Sequence, residues 1–199
     1  MNSDVISPLR LVVLISGNGS NLQAIIDEIT NHNLPAQIVA VISNKADAYG
    51  LERAKKANIE QRVLSHRDYD DRQQYDLALK KLIDGYQPDL IILAGFMRIL
   101  SNEFVEHYSH KMMNIHPSLL PKYKGLNTHQ RAIDAGDKEH GCSVHFVTPQ
   151  LDDGPVILQA RVEIKDDDSA DTLATRVHEQ EHKIYPQAIR LFAENKIKT

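Results

Sequence analysis

Apolar residues recur along the chain in short runs separated by longer stretches with helical spacing. The runs Leu11 to Ile15, Gln37 to Ile42, Gln61 to Leu64, Leu90 to Leu93 and Met112 to Ile115 have the length of strands in a buried sheet. Between them, helices are predicted to begin near Asn21, Ala48, Asp68 and Ser101, and Leu22, Ile25, Ile26 and Ile29 supply the inward stripe of the first. Strand and helix in alternation build parallel βαβ units. After Ile115 the pattern changes. A loop from Pro117 to Gly125 leads to a short helix near Thr128 to Ala135, then to two strand candidates, Gly141 to Val147 and Val156 to Ile164, expected to pair antiparallel at the sheet edge. A long last helix runs from about Ser169 to Asn195. The expected fold is α/β, an open, mostly parallel Rossmann-like sheet with helices on both faces and an antiparallel edge. No repeat, low-complexity tract or linker interrupts it, so residues 1–199 are expected to form a single domain.

Charge narrows the partners. With 23 basic and 27 acidic residues the formal charge is −4, which leaves no strong basic field for a phosphate backbone and argues against nucleic acid. The start, Met1-Asn2-Ser3-Asp4, lacks a positive n-region, and no apolar stretch approaches the roughly 20 residues a bilayer span needs. The expectation is a cytoplasmic protein without membrane contact. The single cysteine, Cys142, excludes an internal disulfide and lies in an apolar run, which suits packing.

Between the first strand and the first helix lies Ser16-Gly17-Asn18-Gly19-Ser20-Asn21. Glycines let backbone N–H groups approach an anion at a helix N-terminus, so a phosphate site is one reading; a plain turn capped by Ser20 or Asn21 is the other. A dinucleotide version is disfavoured, because the third glycine of its fingerprint would fall at Leu22 and the second strand ends in Ser43-Asn44 without an acidic ribose ligand. One phosphomonoester fits better than NAD.

Two apparent metal motifs read better as ordinary structure. Asp166-Asp167-Asp168 precede a helix, where acidic residues suit the free N–H groups and the dipole. His178-Glu179-Gln180-Glu181-His182 matches H-E-x-x-H, but the 17 residues after His182 hold no third histidine, and solvated surface histidines are expected. Glu181 differs from them. It falls in the apolar stripe of Leu173, Val177, Ile184, Ala188 and Leu191, so it is an inward carboxylate, paired with an arginine or facing a ligand.

In an open α/β sheet, ligands gather beyond the carboxyl ends of the strands, where Gly17 to Asn21, Gly95 to Leu100 and Asn114 to Ser118 would meet. Asn114 and His116 are two apart near a strand end, so both side chains can act on one atom. Asp152, in the turn-rich Thr148 to Gly154 segment, could favour a charged imidazole beside it. The bland alternative makes His116 a strand end and Asp152 a turn residue. Phe96 and Met97 read as core.

These segments carry a resemblance. Ile15 to Asn21, Ser43 to Ala48, Leu93 to Leu100, Asn114-Ile115-His116-Pro117-Ser118-Leu119-Leu120-Pro121, His140 to Val147, Leu151-Asp152 and Glu179 to Pro186 together resemble the phosphoribosylglycinamide formyltransferases, folate-dependent enzymes of purine biosynthesis, from about Leu11 to Phe192. The resemblance implies that formyl passes from 10-formyltetrahydrofolate, a co-substrate, to the glycinamide amine, with no metal. It implies catalysis by Asn114, His116 and Asp152. Gly19, Ser20 and Asn21 would hold the nucleotide phosphate and Glu181 its ribose or glycinamide part. Arg72, Met97, Arg98, Ile99, Leu100, Asn114, Val147, Thr148 and Asp152 would line the folate site. Partners are expected to be small molecules only, in a monomer or homodimer.

The near alternatives are a formyltetrahydrofolate hydrolase and a methionyl-tRNA formyltransferase; the extra regulatory or RNA-binding domain of those families is not expected here. A non-catalytic phospholigand module or an NAD oxidoreductase on the same sheet is the alternative of a different class.

Overall fold

In the computed structural model, residues 7–197 are described. The Met1 to Asp4 segment and the two ends of the expected 1–199 domain lie outside the described residues. The first strand, β1 (Leu9–Ile15), is followed by α1 (Ser20–Thr30), β2 (Ala36–Ser43), α2 (Tyr49–Lys56), β3 (Gln61–Val63), α3 (Arg72–Tyr86), β4 (Leu90–Leu93), α4 (Asn102–His107) and β5 (Met112–His116). Then come α5 (Thr128–Asp134), β6 (Glu139–Phe146), β7 (Val156–Glu163) and α6 (Ala170–Ala193). The strands form one seven-stranded sheet in the order β3-β2-β1-β4-β5-β6-β7. The first five pair in parallel and the last two antiparallel, as the pattern predicts.

The apolar run of β1 is explained by burial on both faces. Leu11, Val13 and Ile15 pack with α1, α2 and α6, while Val12 and Leu14 pack with Tyr75, Leu79 and Ile83 of α3 and Phe104 of α4. In β5 the same alternation sends Met113 and Ile115 to the α6 side. Cys142, Val144 and Phe146 of β6 go there too, which confirms packing for Cys142; burial pushes its thiol up to about 12. Asn114, His116, Ser143 and His145 are left to share the opposite face, with Asn114 beside His145 and His116 beside Ser143 in the antiparallel register.

Two expected boundaries move for local reasons. The third helix begins at Arg72, not Asp68, because His66–Asp68 form a separate 3-10 turn capped by Ser65, and Asp71 then caps the helix by accepting from Gln74 N at 2.8 Å. The first helix has Gly19 at its N-cap with no side-chain cap, so neither Ser20 nor Asn21 plays that part. Ser169 opens α6 with a capping box, and Asp168 is bound by Arg176 and Thr172, which accounts for the acidic run. Among the described residues no helix is long and apolar enough to cross a membrane.

Candidate active site

The strand order reverses between β1 and β4, the position at which the loops after two such strands part to form the ligand crevice of an open α/β sheet. Its two walls are tied by one hydroxyl. Ser16 Oγ donates to Asn44 Oδ1 at 2.6 Å and accepts from Met97 N at 2.8 Å. Asp76 of α3 holds the far end of the β4 loop by accepting from Ser101 N at 2.7 Å.

At the end of β5, the structure brings Asn114, His116 and Asp152 together. His116 is buried; its Nε2 lies 2.9 Å from the Tyr123 carbonyl and its Nδ1 3.4 Å from Asp152 Oδ2. A carbonyl only accepts, so Nε2 carries a proton, and Nδ1 faces a carboxylate. Asp152 stands at φ 50°, in the left-handed region that aspartate tolerates better than most residues. It is held there by accepting from Gly125 N at 2.9 Å. Lys124 pairs with the neighbouring Asp153, so the 118–127 loop is fastened over the site at two points.

His145 is a member of this group that the sequence reading did not single out. Its Nδ1 lies 2.8 Å from the Phe146 carbonyl and therefore carries the proton, which leaves Nε2 as an acceptor for Asn114 Nδ2 at 3.2 Å. Burial first of all pushes His145 down, which keeps it neutral and fit to accept. Its Nε2 also lies 3.9 Å from Asp152 Oδ1. The available signal was the polar alternation of Ser143 and His145 in an apolar strand.

On the other side of the crevice, Glu181 of α6 is buried and accepts from Asn21 Nδ2 at 2.8 Å. Among the described residues it pairs with no arginine. Burial pushes its carboxyl up, against the hydrogen bond from Asn21 and the fields of His178 and His116. Asn21 Oδ1 is buried without a partner among the described residues. The Asn21 side chain thus faces Glu181, and the backbone N–H groups of Gly19 to Asn21 remain for an anion. His178 is exposed as expected, with its ring stacked on His182, but His182 departs from the surface reading: it is half-buried and its Nε2 has no partner among the described residues.

The expected folate wall is only partly one surface. A cleft of about 450 Å³ is lined by Arg72 and Leu77 of α3, by Ile99 and Leu100, and by Pro149, but not by Met97, Arg98, Val147, Thr148 or Asp152. Met97 corrects the core reading made from the residues alone: it is 65% exposed, whereas Phe96 is buried. Ile99, Leu126 and Leu151 are also exposed apolar side chains on the loops around the site, an arrangement that suits an apolar ligand body. Arg98 lies 4.7 Å over the Tyr75 ring, so its guanidinium is spent on the scaffold.

A glycine-bearing strand-to-helix loop and grouped Asn, His and Asp side chains on a mostly parallel sheet suit a group-transfer enzyme, and the match of residues 9–189 to the formyl transferase model shows that the chain belongs to the formyl transferase family. Within it the chain is similar to the phosphoribosylglycinamide formyltransferase of Escherichia coli, at 56% identity over 96% of this chain and 90% of that protein. The solved phosphoribosylglycinamide formyltransferase of Coxiella burnetii is 57% identical, covers 94% of this chain and 88% of its own, and superposes with a TM-score of 0.91. The human trifunctional purine biosynthetic protein adenosine-3 is 49% identical over 92% of this chain, which corresponds to 18% of that longer protein.

Proposed function

We infer that this chain transfers the formyl group of 10-formyltetrahydrofolate to the amine of phosphoribosylglycinamide, a step of purine biosynthesis that yields formylglycinamide ribonucleotide and tetrahydrofolate. The observation that carries it is the joint placement of Asn114, His116 and Asp152 beside a crevice with an open anion loop at one end and exposed apolar side chains at the other. A single sheet across the described residues supports the single-domain expectation.

In this reading Gly19, Ser20 and Asn21 receive the phosphate through N–H groups at the start of α1. Glu181 accepts from ribose or glycinamide donors. The folate body lies against Met97, Ile99, Leu100 and the Val147 to Asp152 segment, with Arg72 at the outer end and the backbone of Met97, Arg98 and Thr148 at its polar edge. The neutral amine attacks the formyl carbon, a C–N bond forms, and negative charge develops on the formyl oxygen. Asn114 meets it with the N–H not given to His145. His116 meets it with its Nε2–H, once the formyl oxygen replaces the Tyr123 carbonyl as acceptor. Asp152 holds the imidazolium charge and orders the water that carries the amine proton to the leaving folate nitrogen as the old C–N bond breaks. Catalysis here needs donors and a proton relay, and no metal step is invoked.

The test mixes purified protein with phosphoribosylglycinamide and 10-formyltetrahydrofolate and follows tetrahydrofolate release. Acceptor-dependent turnover is expected. Equal release with and without the acceptor would point to the hydrolase instead.

A further inference from the structure

The loop from Gly17 to Asn21 has an uneven hydrogen-bond account. Each carbonyl from Gly17 to Gly19 is taken by a protein donor: Gly17 O by Gly50 N at 3.0 Å, Asn18 O by Arg53 Nε at 2.9 Å, and Gly19 O by Gln23 N at 2.9 Å. The side-chain oxygen of Asn18 is taken as well, by a terminal nitrogen of Arg53 at 2.9 Å. The N–H groups of Gly19, Ser20, Asn21 and Leu22 find no acceptor among the described residues. The loop therefore has its negative ends engaged by protein donors, two of the three from α2, and its positive ends unengaged. A carbonyl turned towards an incoming anion would repel it, so the removal of the acceptors matters as much as the presence of the donors.

Two residues one turn apart on α2 take the acceptors of Gly17 and Asn18, while Gly19 O is taken by the first turn of α1. Gly50 packs so closely that a Cβ on it would meet Ile15 Cδ1 at 2.5 Å, and a Cβ on Gly19, at φ +74°, would meet Gly50 Cα at 2.7 Å. Arg53 adds a third contact, to Gln23 Oε1 of α1 at 3.2 Å, and its guanidinium lies 4.9 Å over the Tyr49 ring. A planar fork with these commitments is fixed in place. Among the described residues no carboxylate pairs with it, so its charge is uncompensated beside the loop. Its field reaches α6, where it joins burial and His178 in pushing His182 down.

We propose that Arg53 is a positioning residue for the phosphate of the substrate: it draws the acceptors of Asn18 away from the anion and supplies a fixed positive charge without touching the ligand. This rests on the reading that Gly19 to Asn21 receive a phosphate. Lysine is no substitute, since one ammonium cannot span Asn18 O, Asn18 Oδ1 and Gln23 Oε1 in one plane.

The test uses the full chain with Arg53→Ala and Arg53→Lys, inorganic phosphate as the probe, and the unphosphorylated glycinamide riboside as a control acceptor. In both variants the dissociation constant of inorganic phosphate, measured by calorimetry, and the KM of the nucleotide are expected to rise together by about tenfold or more, the scale of losing the charge-assisted bonds that hold the Asn18 acceptors away from the anion. The KM of the folate and the kcat/KM of the riboside stay within about twofold, which a general loosening of the fold would not allow. Arg53→Lys keeps the charge and most of the packing, so it carries the comparison if the alanine variant does not fold. Unchanged phosphate binding in a folded variant, or a riboside rate that falls as far as the nucleotide rate, overturns the proposal. Failure of the wild type to turn over the nucleotide would instead sink the proposed function, while the phosphate titration, which needs no turnover, still decides the part of Arg53.

Discussion

Replacing Asp152 with asparagine removes one charge and spares the surrounding contacts. Asparagine tolerates the left-handed conformation at φ 50°, so the turn is not strained by the change. Its carbonyl oxygen can still accept from Gly125 N, and its NH2 group then points to His145 Nε2, which lies 3.9 Å from Asp152 Oδ1. The loss falls on His116. At the 3.4 Å separation of His116 Nδ1 and Asp152 Oδ2, the attraction between full charges is about 5 kcal/mol at an effective dielectric of about 20, an upper bound on what the charge gives an imidazolium. If His116 then fails as a donor to the oxyanion, the cost is about 2.7–4 kcal/mol, or roughly 10²–10³ in kcat. The assay is steady-state release of tetrahydrofolate, with both substrates varied. A fall of that size in kcat is expected, with both KM values within about threefold, because the contacts that bind the substrates remain. A kcat within about threefold of wild type would refute the reasoning, and a loss confined to KM would move Asp152 from catalysis to binding.

Three further outcomes follow from the same geometry. His145→Ala deprives the Asn114 amide of its acceptor and should lower kcat by about 10-fold, the scale of one hydrogen bond to a positioned group, with partial recovery in His145→Gln; equal rates in all three proteins would remove His145 from the site. Glu181→Gln relieves a carboxyl that burial pushes up, so the fold should gain stability at neutral pH, seen as a higher Tm, while the KM of the nucleotide rises about 10-fold or more; a lower Tm would contradict the cost assigned to that charge. Acid should destabilise the fold between pH 6.5 and about 4, because burial, with the charges of His140, His178 and His116 adding to it, pushes His129 down to about 4. In that window the unfolded imidazole binds a proton that the folded one refuses, so stability falls as pH falls. Replacing it in His129→Gln should shallow the slope of Tm against pH.

Much of this arrangement was legible in the sequence where neighbours along the chain decide it. The runs of β1, β4 and β5 are read directly because burial on two faces demands them. Asn114 and His116 share a side because strands alternate. Glu181 reads as inward from the stripe of α6 and is indeed buried. The start of α3 lies four residues beyond the position the pattern predicts, because the Ser65 and Asp71 caps divide the segment into a turn and a helix, and both residue types occur in either role. Met97 has the chemistry of a core residue but is exposed, because it sits just beyond Gly95, at φ +76°, where the chain has turned off the sheet.

The two residues that the sequence reading passed over, His145 and Arg53, have a physical feature in common. Neither is assigned a contact with substrate; each occupies the hydrogen-bonding capacity of a group that faces it. His145 takes one N–H of Asn114, 31 positions away in sequence, and thereby turns the other outward. Arg53 takes both oxygens of Asn18, 35 positions away, and leaves the loop its donors. A motif displays the groups that meet a ligand because they cluster on one loop or strand end. The groups that aim them are chosen by sheet register and helix docking, which only the folded chain determines. Such a residue should therefore be recognised less by its own exposure than by the hydrogen bonds it withholds from its neighbours. On that criterion, substitution at either position should alter the direction of binding or catalysis before it alters the fold.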